Sequence, residues 1–223
     1  MSPFDFKQDY VLENDYVLLR PLLKSDLEHL QIFSITEPEI WKFSLVQANG
    51  KENLEKYVES ALEERDKQRQ YTFIVFDKIH GVYCGSTRFC DIQLATQCLQ
   101  VGYTWYGKHF QGTKLNKNCK LLLLQFAFEV MQMERIEFRV DALNNRGIAA
   151  LIGIGCTIEG RLRKNGPALE AGRRDSFVLS ILKEEWETSV KTNLHFKLHQ
   201  GKVSETSQIQ HTYEIEPENV RRN

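Results

Sequence analysis

Val101-Gly102-Tyr103-Thr104-Trp105-Tyr106, then Gln111-Gly112-Thr113-Lys114-Leu115-Asn116, then a long apolar run, form the stretch whose residue types and spacing suit anion binding. A β-branched and aromatic run reads as a strand, and the polar, Gly-containing segment after it as a loop. The helix pattern opens around Asn116. The first turn of a helix has unpaired backbone N–H groups and the positive end of the dipole, so a loop at that point can hold a phosphate. Lys114 and Lys117 stand beside those donors and would add charge, and no acidic residue stands at the helix start. An ordinary strand-to-helix turn has the same outline, so this stretch alone leaves both readings open.

Other reactive side chains are more dispersed. The five cysteines are Cys84, Cys90, Cys98, Cys119 and Cys156, with no Cys-x-x-Cys among them. They read as reduced thiols of a cytoplasmic protein, mostly buried. Cys119 falls near the helix start, a position that lowers a thiol pKa, but it has no His nearby in sequence to serve as a base. His195 and His199 stand four apart and would share a helix face. No further ligand has a suggestive spacing, so no metal site is expected.

These residues require a particular set of elements. Val11 to Pro21 reads as one strand, and Ser25-Asp26 caps a helix over Leu27, Leu30, Ile32 and Phe33. Residues 51–69 form an amphipathic helix with Leu54, Tyr57, Val58, Ala61 and Leu62 on one face. Its charge run, Glu63 to Lys67, reads as a solvated face. Strands follow over Tyr71–Phe76, Val82–Cys90 and Leu99–Tyr106, close enough in sequence to be antiparallel neighbours. Lys120–Met133 is apolar nearly all round and should be a buried helix. Strands over 135–141, 156–163 and 175–182 complete a mixed sheet, and Glu184–Leu198 reads as a last helix. No Gly-x-Gly-x-x-Gly occurs, which argues against a dinucleotide fold.

The bulk numbers fit this outline. The chain has 223 residues, 42% hydrophobic and 26% charged, enough for one sizeable core. A formal net charge of −1 offers no basic field for nucleic acid and no polybasic membrane patch. The opening Met1 to Phe6 has no charged n-region and no apolar h-region, so no secretory signal is read there. The longest apolar stretch, Leu121–Met133, is interrupted by Gln125, Glu129 and Gln132 and is too short to span a bilayer.

The order of these pieces resembles the GNAT acyltransferase superfamily, in the branch that includes the ribosomal-protein N-terminal acetyltransferases. Gly85-Ser86-Thr87-Arg88-Phe89, Val101 to Trp105, Gln111 to Lys120, Arg135 to Asn144, Gly155 to Arg163 and Arg173 to Trp186 carry the resemblance, which covers roughly residues 81–187. Leu18 to Leu22 and Ser25 to Leu27 resemble the branch's first strand and helix. The resemblance implies an α/β fold of the α+β type, a mixed, mostly antiparallel sheet of six to seven strands flanked by helices. It places a GNAT domain at 8–198 and leaves a polar tail at 199–223, whose own residues allow a short strand at Thr212–Glu216.

It also implies acetyl transfer from acetyl-CoA to a primary amine, a protein N-terminus or a small amine, by direct attack. Gln111, Gly112, Thr113, Lys114, Leu115 and Asn116 would hold the pyrophosphate, with Arg146 nearby. Thr104, Trp105 and Tyr106 would border the pantetheine arm on a strand that splays from its neighbour at 136–141. Asn144 matches the family asparagine that holds the arm, and also suits a helix N-cap. Tyr103 and Asn144 are the catalytic candidates; the general acid is unassigned, with Tyr106 and Cys156 as further guesses. Arg88, Asp91 and Glu159 are expected to flank the acceptor, which the first helices and residues 81–100 would enclose. Gly147 stands where relatives commonly have Ser, so Gly147→Ser is expected to sustain or raise turnover. Lys114 stands where family loops commonly have Gly. These departures motivate a rival reading, a coenzyme A-binding sensor with little catalysis; an α/β module without a coenzyme A site is a third. The expected assembly is a monomer or homodimer.

Overall fold

A computed structural model describes residues 4–168 and 172–200. The N-terminal strand expected over Val11–Pro21 is a hairpin instead, β1 (Leu12–Glu13) and β2 (Val17–Pro21). Asn14 causes the break, because its side-chain Oδ1 accepts from the N–H groups of Tyr16 and Val17 and closes a turn. Helices α1 (Leu27–Thr36) and α2 (Lys51–Asp66) follow, then β3 (Tyr71–Asp77), β4 (Val82–Gln93) and β5 (Cys98–Tyr106). Helix α3 (Leu115–Gln125) continues through a π turn at Phe126–Val130. The chain then runs through β6 (Arg135–Asp141), α4 (Asn145–Gly153), β7 (Thr157–Pro167) and β8 (Arg173–Leu182). Helix α5 (Lys183–Glu185), a second π turn at Trp186–Val190 and α6 (Lys191–His199) close the described part. The tail beyond residue 200, with its expected strand at Thr212–Glu216, lies outside the described residues.

The strands form an eight-stranded sheet in the order β1-β2-β3-β4-β5-β6-β8-β7, one more than expected because of the N-terminal split. Every neighbouring pair is antiparallel except β5–β6, which is parallel. That pair holds over only three steps, Cys98 with Arg135, Leu99 with Ile136 and Gln100 with Glu137. Beyond Gln100 and Glu137 the two strands diverge, and a fork opens in the middle of the sheet.

Two layers of core sandwich the sheet. Leu22, Leu30, Trp41, Leu54, Tyr57, Val58, Ala61, Ile74 and Trp105 join α1 and α2 to one face. The larger cluster places α3, its π turn and α6 on the other face, with Phe73, Phe89, Leu123, Phe128, Ile136, Phe138, Leu179 and Trp186 among its members. The two π turns are fastened together by Glu129, which accepts from Trp186 Nε1 at 3.0 Å and Lys191 Nζ at 2.7 Å. The charge run on α2 is only partly solvated. Arg65 donates to the Phe6 and Gln8 carbonyls and to Asp9, and lies 4.6 Å from the Tyr71 ring centre.

Candidate functional site

The fork follows from a bulge as well as from the strand ends. Ser86 pairs with Trp105 and Arg88 with Gly102, so Tyr103 and Thr104 of β5 together oppose Thr87 of β4. The extra residue bends the strand. Tyr103 takes φ of 51°, in the left-handed region, an uncommon state for a residue with a Cβ. Tyr103 and Trp105 point toward α2, whereas Thr104 points toward α3.

The aromatic side chains of this strand pack on both faces of the sheet. Trp105 donates from Nε1 to the Tyr57 hydroxyl at 3.3 Å and packs 4.6 Å from Trp41, inside the α1–α2 core. Tyr106 is buried beneath α3, where its hydroxyl donates to Asn116 Oδ1 at 3.2 Å; burial raises its pKa well above normal and keeps it a phenol. Leu115 is likewise core. Tyr103 is half-buried, and the Arg88 guanidinium lies over its ring at 4.5 Å and over the Tyr57 ring at 4.4 Å. Arg88 donates from Nη1 to Gln70 Oε1, while its Nε and Nη2 find no partner among the described residues.

The loop before α3 forms a cradle. Gly112 has φ of 81°, which a side chain would strain, and an added Cβ would come within 3.6 Å of Arg146 Nη2. Arg146 also donates to Gln111 Oε1 at 2.6 Å, and Gln111 in turn donates from Nε2 to the Tyr106 carbonyl at 2.7 Å. The end of β5, the loop and the start of α4 are thus tied around one cationic group. Thr113 Oγ1 accepts from the Leu115 N–H at 3.2 Å and donates to the Phe110 carbonyl. Lys114 departs from the expected arrangement: its Nζ donates to the Leu198 carbonyl at the end of α6, so its side chain leaves the loop.

Asn144 caps α4, its Oδ1 accepting from the Gly147 N–H at 2.9 Å. Cys119 contradicts the lowered pKa expected at a helix start, because burial raises its thiol to about 12. The same cause raises Cys156 to about 12, which leaves it a poor acid for a leaving thiolate. Glu159 is engaged by Arg135 and by Ser180, bonds that hold it ionised. Asp91 accepts from Gln93 at an exposed irregularity near the end of β4.

Sequence reasoning missed a cleft of about 440 Å³ where β6 ends. Lys42, Phe43 and Ser44 from the α1–α2 connection, Asp141 to Leu143, and the β7–β8 hairpin with Arg161 and Arg174 line it. Arg174 ties the parts together by donating to the Phe43 carbonyl at 3.1 Å and lying 3.4 Å from Asp141. The charged sequence Arg173-Arg174-Asp175 was the available signal, but it is silent on what packs opposite.

The sequence model of the family described as an acetyltransferase (GNAT) domain matches residues 17–157. YdaF of Bacillus subtilis, named as a candidate ribosomal N-acetyltransferase, is 25% identical over 181 residues, covering 78% of this chain and 95% of YdaF. Among solved structures, a candidate acetyltransferase from T. thermophilus is 32% identical, with a TM-score of 0.75 and coverage of 84% of this chain and 96% of that one. RimJ of Mycobacterium smegmatis, solved with CoA-disulfide, shares the fold at 18% identity, with a TM-score of 0.71 over 85% of this chain and 93% of RimJ.

Proposed function

Because the chain belongs to the GNAT acetyltransferases, we propose that it moves an acetyl group from acetyl-CoA to a primary amine by direct attack. The observation that carries this reading is the fork between β5 and β6, opening beside a cationic cradle at Gln111, Gly112 and Arg146. Backbone N–H groups at the start of α3 would favour an anion there, with no acidic residue in the first turn to oppose it. The edge of β5 that faces the fork has backbone groups without a strand partner, suited to an amide-bearing pantetheine arm. The bulge at Tyr103 turns this backbone, and an N–H aimed at a thioester oxygen would stabilise charge as it develops. RimJ, which binds a coenzyme A derivative, supports the same ligand here.

The cleft at Lys42–Ser44 and Asp141–Leu143 is the acceptor's entrance in this reading. Asn144 follows the lining residue Leu143 in the chain and caps α4, next to Arg146 of the cradle. The sensor reading had two motives, and one weakens: Lys114 bonds to Leu198 rather than narrowing the loop. Titration calorimetry with acetyl-CoA, followed by an amine screen of N-terminal peptides and small amines, tests the proposal. Wild type should bind and turn over, and Gly112→Asp, which puts a carboxylate in the cradle, should lose at least tenfold in affinity, on the order of 1.4 kcal/mol or more. Unchanged binding by folded Gly112→Asp would move the phosphate site elsewhere; binding without turnover would favour the sensor.

A further inference from the structure

The fork contains a charge that the cradle does not use. Lys120 belongs to α3, and only 3% of it is exposed. Its ammonium donates to Thr104 Oγ1 at 2.8 Å, and Thr104 Oγ1 shares a second 2.8 Å bond with Thr87 Oγ1. On its other side Nζ stands 5.8 Å from the centre of the Phe138 ring. Thr104 on β5 and Phe138 on β6 both lie past the last paired step, Gln100 with Glu137. Nζ therefore sits on the α3 face of the gap between the diverging strands, against the path a pantetheine arm would take.

The surroundings make this lysine unusual. The titratable groups acting on it are the thiols of Cys119 on α3, Cys156 before β7 and Cys90 on β4, and no carboxylate pairs with it among the described residues. Burial holds all three thiols neutral, near 12. Burial also draws the ammonium down to about 8. A buried, unpaired cation is unfavourable, and a sequence that keeps one against its own stability points to a use for it.

Resting on the acetyl-transfer reading, we propose that Lys120 is the general acid that protonates the departing thiolate of coenzyme A. The acceptor nitrogen forms the new C–N bond with its lone pair. The C–S bond breaks, and sulfur leaves with that bond's electron pair. Nζ gives one proton to sulfur and becomes a neutral amine. The nitrogen of the new amide releases one proton to solvent, and solvent returns one to Lys120, so amine and thioester become amide and thiol with no redox change. Thr104 positions the donor: its Oγ1 accepts from Nζ and is itself held by its hydrogen bond with the Thr87 hydroxyl. A donor whose pKa lies near the working pH, and near that of a thiol, suits this transfer.

Two measurements test the assignment with Lys120→Met, which keeps the length and suits the apolar walls, and Lys120→Arg, which keeps the charge but cannot yield a proton. The first needs no acceptor. Coenzyme A in its thiol form is bound to the full chain, and thiolate absorbance is followed across pH. The ammonium should ionise the bound thiol at a pH at least about one unit lower in wild type than in Lys120→Met, a tenfold change in the ionisation constant. Identical titrations in complexes of comparable affinity would overturn the proposal. The second is steady-state transfer. Wild-type kcat should fall above about pH 8 as the acid loses its proton. Both variants should lose at least about tenfold in kcat, with acetyl-CoA KM within about threefold, and lose that alkaline limb. A variant with wild-type kcat would also overturn it. Failure of wild type to acetylate any amine would count against the transfer reading, whereas the bound-thiol titration still reports whether Lys120 meets the sulfur.

Discussion

A Cβ built on Gly147 would stand 2.7 Å from Asn144 Nδ2 and 2.9 Å from Val140 Cγ2. The hydroxyl that relatives commonly carry at this point has no room here unless Asn144 gives up its cap. Gly147→Ser is therefore expected to lower activity, contrary to the expectation from sequence, and to cost about 1 kcal/mol for the lost cap. Differential scanning calorimetry should register that as a fall of roughly 2–4 °C for a chain of this size. A second expectation concerns Lys120 and stability rather than rate. Its folded pKa of about 8 lies below the ordinary 10.5, so the fold disfavours the charged form. The penalty is complete below pH 8 and fades as pH rises toward 10.5. At about 1.4 kcal/mol per unit it is on the order of 3 kcal/mol. Lys120→Met should then melt higher than wild type at pH 7, by the equivalent of about 1–3 kcal/mol, and the gap should narrow by pH 10. A gap that ignores pH would mean that the ammonium is already well solvated. Neither residue could be judged from sequence. Lys120 stands in the middle of α3, at the start of a stretch that is apolar nearly all round, and such a stretch has no periodicity to say which side faces the sheet. Gly147 resembles any small residue in a first helical turn until its neighbours are known.

At the scale of elements, the strands and helices were largely legible because their patterns are strong. β6 has the expected limits, and α2 buries Leu54, Tyr57, Val58 and Ala61 as its spacing requires. The departures come from side chains that bond to backbone or from chain ends that cannot be seen locally. Asn14 cuts one strand into two, and the bulge at Tyr103 has Gly102 beside it but takes its positive φ at the tyrosine. Partnering across the sheet was invisible, so the cleft under the β7–β8 hairpin was missed. The fork itself gives a measurable expectation. In hydrogen exchange, amides in Val101–Tyr106 should exchange faster than those of Cys98–Gln100, whose strand is paired on both sides. Coenzyme A should slow the first group and leave the second unchanged. Equal protection in the free protein would mean that the fork closes in solution.

At the scale of the whole molecule, the N-terminal segment is fastened far from its own strand. Arg65 of α2 donates to Phe6 at 2.8 Å and to Asp9 at 2.6 Å, and Tyr71 of β3 donates to the Gln8 carbonyl at 2.7 Å. Phe4 packs into the main core beside Phe126. Arg65→Ala should expose residues 5–9 to limited proteolysis and destabilise by about 1.5–3 kcal/mol, as for lost hydrogen bonds from a charged group. A protease pattern identical to wild type would show that Phe4, Phe6 and the Tyr71 bond hold the segment without Arg65. The fork has a mechanical consequence for the whole. Five strands lie on one side of it and three on the other, and only three backbone steps join them directly. Apart from the two-step hairpin at the sheet's edge, this seam is the weakest join under tension applied across the strands. Helix α3 and its side chains are the backing that keeps the halves in register. A long ligand threaded into the gap would act as a suture, bonded to both edges and to the loop at its end. In the proposed reaction the acetyl donor would thereby raise the force the fold withstands, and its departure as product would leave the seam open again.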